Sequence, residues 1–164
     1  MPCKLHARRE ASRNVSTSLS LYELGKFKEA LAKAELFSDS AEWPMGLRIT
    51  GGEFKLTLSS LAYYYMGDQV RSDTLLQEYF EKFPGNNFWT AIVVARRDNA
   101  DLAFEYLYKA MEKPENVPHR KRFPNIVDDP RWAALMEKLG RTPEQLAAIK
   151  FEYTPPAHAG QASP

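Results

Sequence analysis

The sequence predicts an all-α fold built from helical hairpins, and three observations carry that expectation. Apolar residues recur at three- and four-residue spacing through most of the chain. Turn signals interrupt this rhythm at Gly25, at Gly67–Asp68 and at Asp98–Ala100. A small residue stands five positions beyond each turn, at Ala30, Ser72 and Ala103. One amphipathic hairpin cannot bury both its faces, so neighbouring hairpins have to stack on it.

Residues 1–14 lack apolar periodicity and are read as a flexible segment in which Lys4, Arg8, Arg9 and Arg13 are solvated. The repeat domain spans 15–153. Val15, Leu19 and Tyr22 mark a first helix, stopped at Gly25, where a tight left-handed turn costs glycine least. Phe27, Ala30, Leu31, Ala34 and Phe37 share one face of the second helix. Ser38 to Gly52 then breaks the pattern through Pro44 and the paired Gly51 and Gly52. It reads as an ordered connection whose Trp43, Leu47 and Ile49 pack under a neighbouring helix.

The second hairpin runs from Leu56 to Pro84. Leu58, Leu61, Ala62, Tyr65 and Met66 precede its turn, and Leu75, Leu76, Tyr79, Phe80 and Phe83 come after it. The third begins near Asn87 and ends in the stripe Leu102, Ala103, Tyr106, Leu107, Ala110 and Met111, where the alanines let a facing helix approach closely. After Pro114 comes an irregular loop with prolines at 118, 124 and 130, anchored by Phe123 and Ile126. Asp129–Pro130 caps a short helix with Trp132, Leu135, Met136 and Leu139 facing inward. Thr142 to Gln145 is a capping box that opens a last helix through Ile149, with Leu146 and Ile149 on its inner face. The tail 154–164 is small, polar and proline-containing, and is read as disordered.

Composition narrows the function. The 164 residues are 44% hydrophobic and 26% charged, which suits one domain with a modest core. A formal net charge of +1 provides no broad basic field, so no nucleic-acid partner is expected. Cys3, the lone cysteine, cannot form an internal disulfide. No apolar run approaches the roughly 18 residues that cross a bilayer, and there is no signal-peptide core. A cytoplasmic protein without membrane contact is the expectation.

Gly67 lies 42 residues beyond Gly25 and Asp98 lies 31 beyond Gly67, while Phe37, Tyr79 and Ala110 occupy one matching packing position. Through GKFKEA at Gly25–Ala30, YMGD at Tyr65–Asp68 and DNADLA at Asp98–Ala103, the chain resembles the tetratricopeptide-repeat family, whose repeats are about 34 residues long. The resemblance implies a right-handed superhelical stack of about three such hairpins plus two short C-terminal helices. Residues of about 46 to 156, ending in DPRW and KLG, also look like the carboxy-terminal repeat region of bacterial signalling proteins. There, repeats come after an adenylate-cyclase-type, kinase or winged-helix domain. That likeness implies a role in protein–protein contact. It also implies an alternative, a regulatory or dimerisation remnant acting on a separately encoded effector.

Catalytic and metal-binding patterns are not found. Cys3, His6, His119 and His158 are scattered, and no phosphate-cradling, nucleophile-elbow or zinc-protease motif occurs, so neither an enzyme nor a cofactor is expected. Asp129 of the Asp128–Asp129 pair is read as a helix cap, and His119 to Arg122 as a solvated basic loop. The family's concave face, lined by the first helix of each pair, is the candidate site. Its residues are Leu19 and Tyr22, with Glu23 beside them, then Thr57, Leu61, Tyr64 and Tyr65, then Phe88, Ile92 and Arg96. Family members that clamp a terminal carboxylate use Lys, Asn and Arg here, whereas this chain has Val15, Leu19, Leu58 and Trp89. The expected partner is therefore an apolar peptide or protein segment, anchored by Tyr64, Tyr65 and Phe88, with Arg96 reading charge. A homodimer is the alternative assembly.

Overall fold

The computed structural model describes Asn14 and residues 17–37, 50–113 and 116–150. The fold is all-α, and among these residues there is no β-strand. The chain divides into two compact units, Met1–Ile126 and Val127–Pro164, where the sequence suggests a single repeat domain. Residues 1–13, Val15, the connection carrying Trp43, Leu47 and Ile49, and the tail 154–164 lie outside the described residues.

Three hairpins make up the first unit. Residues 17–23 (α1) pair with Phe27–Ala34 (α2), Gly51–Tyr65 (α3) with Gln69–Lys82 (α4), and Asn87–Arg96 (α5) with Ala100–Ala110 (α6). Their turns share one geometry. Gly25, Gly67 and Asp98 are left-handed, at φ of +72°, +81° and +57°. The next amide reaches back to the first helix in each case, Lys26 to the Leu21 carbonyl at 2.8 Å, Asp68 to Tyr63 at 3.0 Å and Asn99 to Val94 at 3.1 Å. These bonds satisfy carbonyls that the helix end leaves without partners. Asp68 and Asn99 then cap the second helices by accepting from the Arg71 and Leu102 amides.

Where the two helices of a hairpin cross, both residues are small. The pairs Ser18 and Ala30, Ser60 and Ser72, and Ala91 and Ala103 are each twelve residues apart, and all six are 0% exposed. Ser60 donates to the Ser72 carbonyl at 3.0 Å and Ser72 donates back to the Ser60 carbonyl at 2.8 Å. Ser18 reaches the Ala30 carbonyl at 3.4 Å. A hydroxyl on one helix touches the backbone of the other only because small side chains allow close approach. Twelve residues after each turn, Phe37, Tyr79 and Ala110 are also buried.

One boundary differs from the sequence-based expectation. Gly51 and Gly52 do not belong to the connection; they are the first residues of α3. Thr50 and Glu53 form a capping box, with the Glu53 amide donating to Thr50 Oγ1 at 3.2 Å and the Thr50 amide to Glu53 Oε2 at 3.4 Å. Two satisfied amides at the helix start offset the low helical propensity of glycine.

Helix α3 is central, packed on α2, α4 and α5. Its Phe54, Leu58 and Leu61 join Tyr22, Ala30, Ala34, Phe37 and Val93 in one apolar cluster. Phe37 and Phe54 meet edge-on at 5.3 Å. Helix α5 is buried from Thr90 to Ala95. The chain after α6 returns to it, placing the fully buried Phe123 edge-on against Phe88 at 5.9 Å. Within this return, which the sequence reads as irregular, Arg120–Arg122 form a 3₁₀ turn.

The second unit holds Pro130–Lys138 (α7) and Pro143–Ala147 (α8). Asp129 caps α7, and its hydrogen bonds from the Arg131 side chain, then from the Arg131 amide, hold its carboxyl down at about 2. Trp132 and Leu135 are buried, as expected. Leu146 and Ile149 are not inward-facing; they are 49% and 50% exposed. Helix α8 ends at Ala147, leaving Ile149 beyond it, and five residues are too few to turn a continuous apolar face inward.

Candidate functional site

The structure separates the nine groove residues into three groups. Tyr22, Thr57, Leu61 and Ile92 are buried, at 6%, 1%, 6% and 5% exposure, and are corrected from groove to core. Tyr22 and Leu61 sit in the central cluster, while Thr57 donates to the Glu53 and Phe54 carbonyls and accepts from Trp89 Nε1 at 3.1 Å. Leu19 and Phe88 are half-buried. Leu19 packs against the central cluster, and Phe88 lies between Phe123 and the Arg122 guanidinium, which is 5.9 Å from its ring centre. The return segment thus covers the part of α5 that a groove ligand would have used. Tyr64, Tyr65 and Arg96 remain accessible to different degrees, all at the turn end of the first helices.

At that end α1, α3 and α5 bring aromatic and charged groups together. Tyr65 stacks on Phe27 at 5.6 Å with 13° between the planes, and Tyr22 meets both rings edge-on. Tyr64 packs edge-on against Tyr65 at 5.3 Å. The Tyr65 hydroxyl donates to the Arg96 carbonyl at 2.6 Å, tying the end of α3 to the end of α5. Arg96 lies over the Tyr22 ring at 5.7 Å and forms an ion pair with Glu23 at 3.1 Å. Burial raises the Tyr22 hydroxyl pKa well above its ordinary value, with Tyr65 adding to the rise and Arg96 opposing it. Tyr22 therefore stays neutral, and the ring acts as a π surface under the cation.

Beside this cluster lies a second one, in which Arg97 is the most buried side chain. Arg97, its side chain 8% exposed, pairs with Asp73 of α4 and lies over the Tyr64 ring at 5.4 Å. The Tyr64 hydroxyl donates to Asp98 at 3.3 Å, and Asn125 of the return segment donates to the same carboxylate. Burial, then the Asp98 charge, raises the Tyr64 hydroxyl pKa. These bonds fix Tyr64 by its polar end and leave Tyr65 as the presented ring, 42% exposed.

A buried polar centre joins the second and third hairpins. Glu53, 3% exposed, accepts from Asn86 Nδ2 at 2.6 Å and lies 3.5 Å from the Tyr79 hydroxyl, which is 3.0 Å from Thr90 Oγ1. Burial raises the Glu53 carboxyl pKa against the lowering effect of these hydrogen bonds. All its partners are structural, and it does not open to solvent.

Sequence reasoning missed Phe27, Arg97, Asp73 and Asp98 as neighbours of the site. Phe27 was legible only as part of an apolar stripe. The Arg97–Asp73 pair joins two hairpins, and no spacing within either one announces it. Among the described residues no group of three His, Cys, Asp or Glu side chains is placed to hold a metal ion, and no helix is long and apolar enough to cross a membrane. None of the protein-family models, curated proteins or solved structures compared with the chain matches it.

Proposed function

We propose that the chain is a non-catalytic, tetratricopeptide-like interaction module that binds a peptide or protein partner. The observation that carries this reading is the repeated hairpin register. A left-handed turn residue, a fully buried small pair twelve residues apart and a buried residue twelve after the turn recur in three successive hairpins. Such units stack into a right-handed superhelix whose first helices present one continuous surface. The contacts of α3 with both α2 and α5 support that order. The partner surface is the turn end of those helices together with the start of α2, with Tyr65 and Phe27 as rigid aromatic anchors and Arg96 as the charged reader. Large rings of this kind supply contact area while losing little side-chain freedom on binding.

Cross-linking and mass spectrometry of partners captured by the intact chain test the proposal, repeated with Tyr65→Ala and Arg96→Ala. A partner captured by the parent chain and lost from both variants is the expected result, with circular dichroism confirming that both remain folded. Capture that is unchanged in both variants overturns this surface.

A further inference from the structure

Arg96 and Glu23 form an unequal pair. The Arg96 side chain is 17% exposed and backed by the Tyr22 ring, and the Tyr65 hydroxyl anchors its backbone carbonyl. Its position is set by packing. The Glu23 side chain is 60% exposed at the last turn of α1, and it meets the guanidinium through a single contact, Nη1 to Oε1 at 3.1 Å. Among the described residues Glu23 is the one carboxylate paired with that guanidinium. A guanidinium offers five donors in a planar fork that matches both oxygens of a carboxylate. Here one donor meets a carboxylate, and that carboxylate belongs to the more exposed member of the pair.

The surroundings add an apolar contact. Leu24, next to Glu23, is 72% exposed. Past the Phe27–Tyr65 stack lies an open cleft of about 300 Å³, lined by Gly25, Lys26, Phe27, Lys28, Glu29 and Met66. Two lysines line this cleft, Lys26, which pairs with Glu29 at 3.8 Å, and Lys28. An acidic segment with an apolar neighbour matches both the charge and the shape of this surface.

We infer that Glu23 is an internal stand-in for a ligand carboxylate, and that the site binds a peptide segment carrying a Glu or Asp side chain beside an apolar residue. The incoming carboxylate exchanges with Glu23 on Arg96, and the apolar side chain enters the Phe27–Met66 cleft. No bond is made or broken beyond this exchange of ion pairs. The group that Arg96 already holds is a glutamate side chain, which points to a side-chain carboxylate and not a chain terminus. This inference rests on the interaction-module reading and gives it a ligand chemistry.

The test uses the full chain and three probes: a capped leucyl-glutamyl peptide, its glutaminyl counterpart, and the glutaminyl peptide with a free carboxy terminus. Heteronuclear NMR tracks the Arg96 Nε–Hε and Tyr65 resonances. The glutamyl probe shifts both, and Glu23→Gln tightens it by roughly two- to fivefold, the range for removing a partly exposed competing ion pair. Arg96→Gln abolishes the preference for glutamyl over glutaminyl. Equal shifts from these two probes, or a Glu23→Gln affinity no tighter than the parent's, overturn the inference. Binding confined to the free-terminus probe overturns the side-chain assignment. If Arg96→Gln does not fold, the Glu23→Gln comparison decides by itself. Partner capture that is insensitive to Glu23→Gln sinks the inference and leaves the module reading standing. Arg96-dependent probe binding without any captured partner does the reverse.

Discussion

The turn at Gly140 and the turns of the first three hairpins have the same backbone, yet they lead to different structures. Gly140 is left-handed at φ +67°, and the Arg141 amide reaches the Met136 carbonyl at 2.9 Å, as at Gly25, Gly67 and Asp98. In the first three hairpins the residues seven before and five after the turn are small and fully buried. Around Gly140 the corresponding residues are Ala133 and Gln145, and both are exposed. Gln145 bonds locally instead, donating to the Glu137 carbonyl at 3.2 Å and accepting from the Thr142 amide at 2.9 Å. A left-handed cap therefore ends a helix without dictating how the next one packs; the small pair at the crossing makes the return into a packed hairpin.

The largest expected effect tests that distinction directly. Ala91→Leu places a branched side chain at a 0% exposed position seven residues before the third turn, and forcing the helices apart costs about 3 kcal/mol in urea unfolding. Ala133→Leu, at the matching position of the fourth turn, changes stability by less than about 0.5 kcal/mol because that site is exposed. Equal effects at the two sites would break the comparison.

Glu53 separates the two regions in a second way. Glu53→Ala leaves Asn86 Nδ2 and the Thr50 amide without their acceptor and costs about 2 kcal/mol. Glu53→Gln keeps an acceptor and removes the charge. Burial raises the folded-state pKa above the ordinary 4.5, so the folded protein binds this proton more tightly than the unfolded chain. The contribution of Glu53 to stability is thus greatest below about pH 4.5 and declines as pH rises through the folded value. The Gln variant should gain on the parent as pH rises above about 4.5, the ordinary value from which burial raises the carboxyl. Asp129, capping α7, has the opposite sign. Its depressed carboxyl stabilises above its unfolded pKa of 3.8 and loses that contribution as pH falls toward about 2. Asp129→Asn should therefore lower stability at neutral pH and flatten its decline on the acid side, where the parent's carboxylate is protonated.

Much of this was legible in the sequence, for identifiable reasons. The turns at Gly25, Gly67 and Asp98 and the small residues Ala30, Ser72 and Ala103 are local, and local chemistry shows in spacing. Thr50-x-x-Glu53 is local too, but the paired glycines between them read as a break and mask the capping box. The groove residues were less legible. Periodicity puts Tyr22, Leu61 and Ile92 on a first-helix face without saying whether that face is open. In the structure these three are core, and nothing in the helical pattern foretells that Phe123 folds back onto Phe88. Leu146 and Ile149 failed for a related reason, since two apolar residues on so short a helix do not compel burial.

The smallest effects concern the turn residues themselves. Gly67→Ala and Gly140→Ala should each cost about 1 kcal/mol for holding a Cβ in a left-handed residue. Neither position has an atom within 4 Å of the added carbon, so backbone strain is the whole cost and the two should agree. Asp98 reverses the experiment. Asp98→Gly relieves the strain of φ +57° in a non-glycine residue, but it removes the carboxylate that receives the Tyr64 hydroxyl and the Asn125 amide. An exposed carboxylate returns little for each bond, so gain and loss nearly cancel, within about 0.5 kcal/mol. Amide exchange and tyrosine relaxation separate the two parts: exchange at the turn should be unchanged, while the Tyr64 ring, released from Asp98, should become more mobile. A Tyr64 ring as rigid as before would mean that Arg97 and Tyr65 alone hold it, and that Asp98 marks the turn without securing the site.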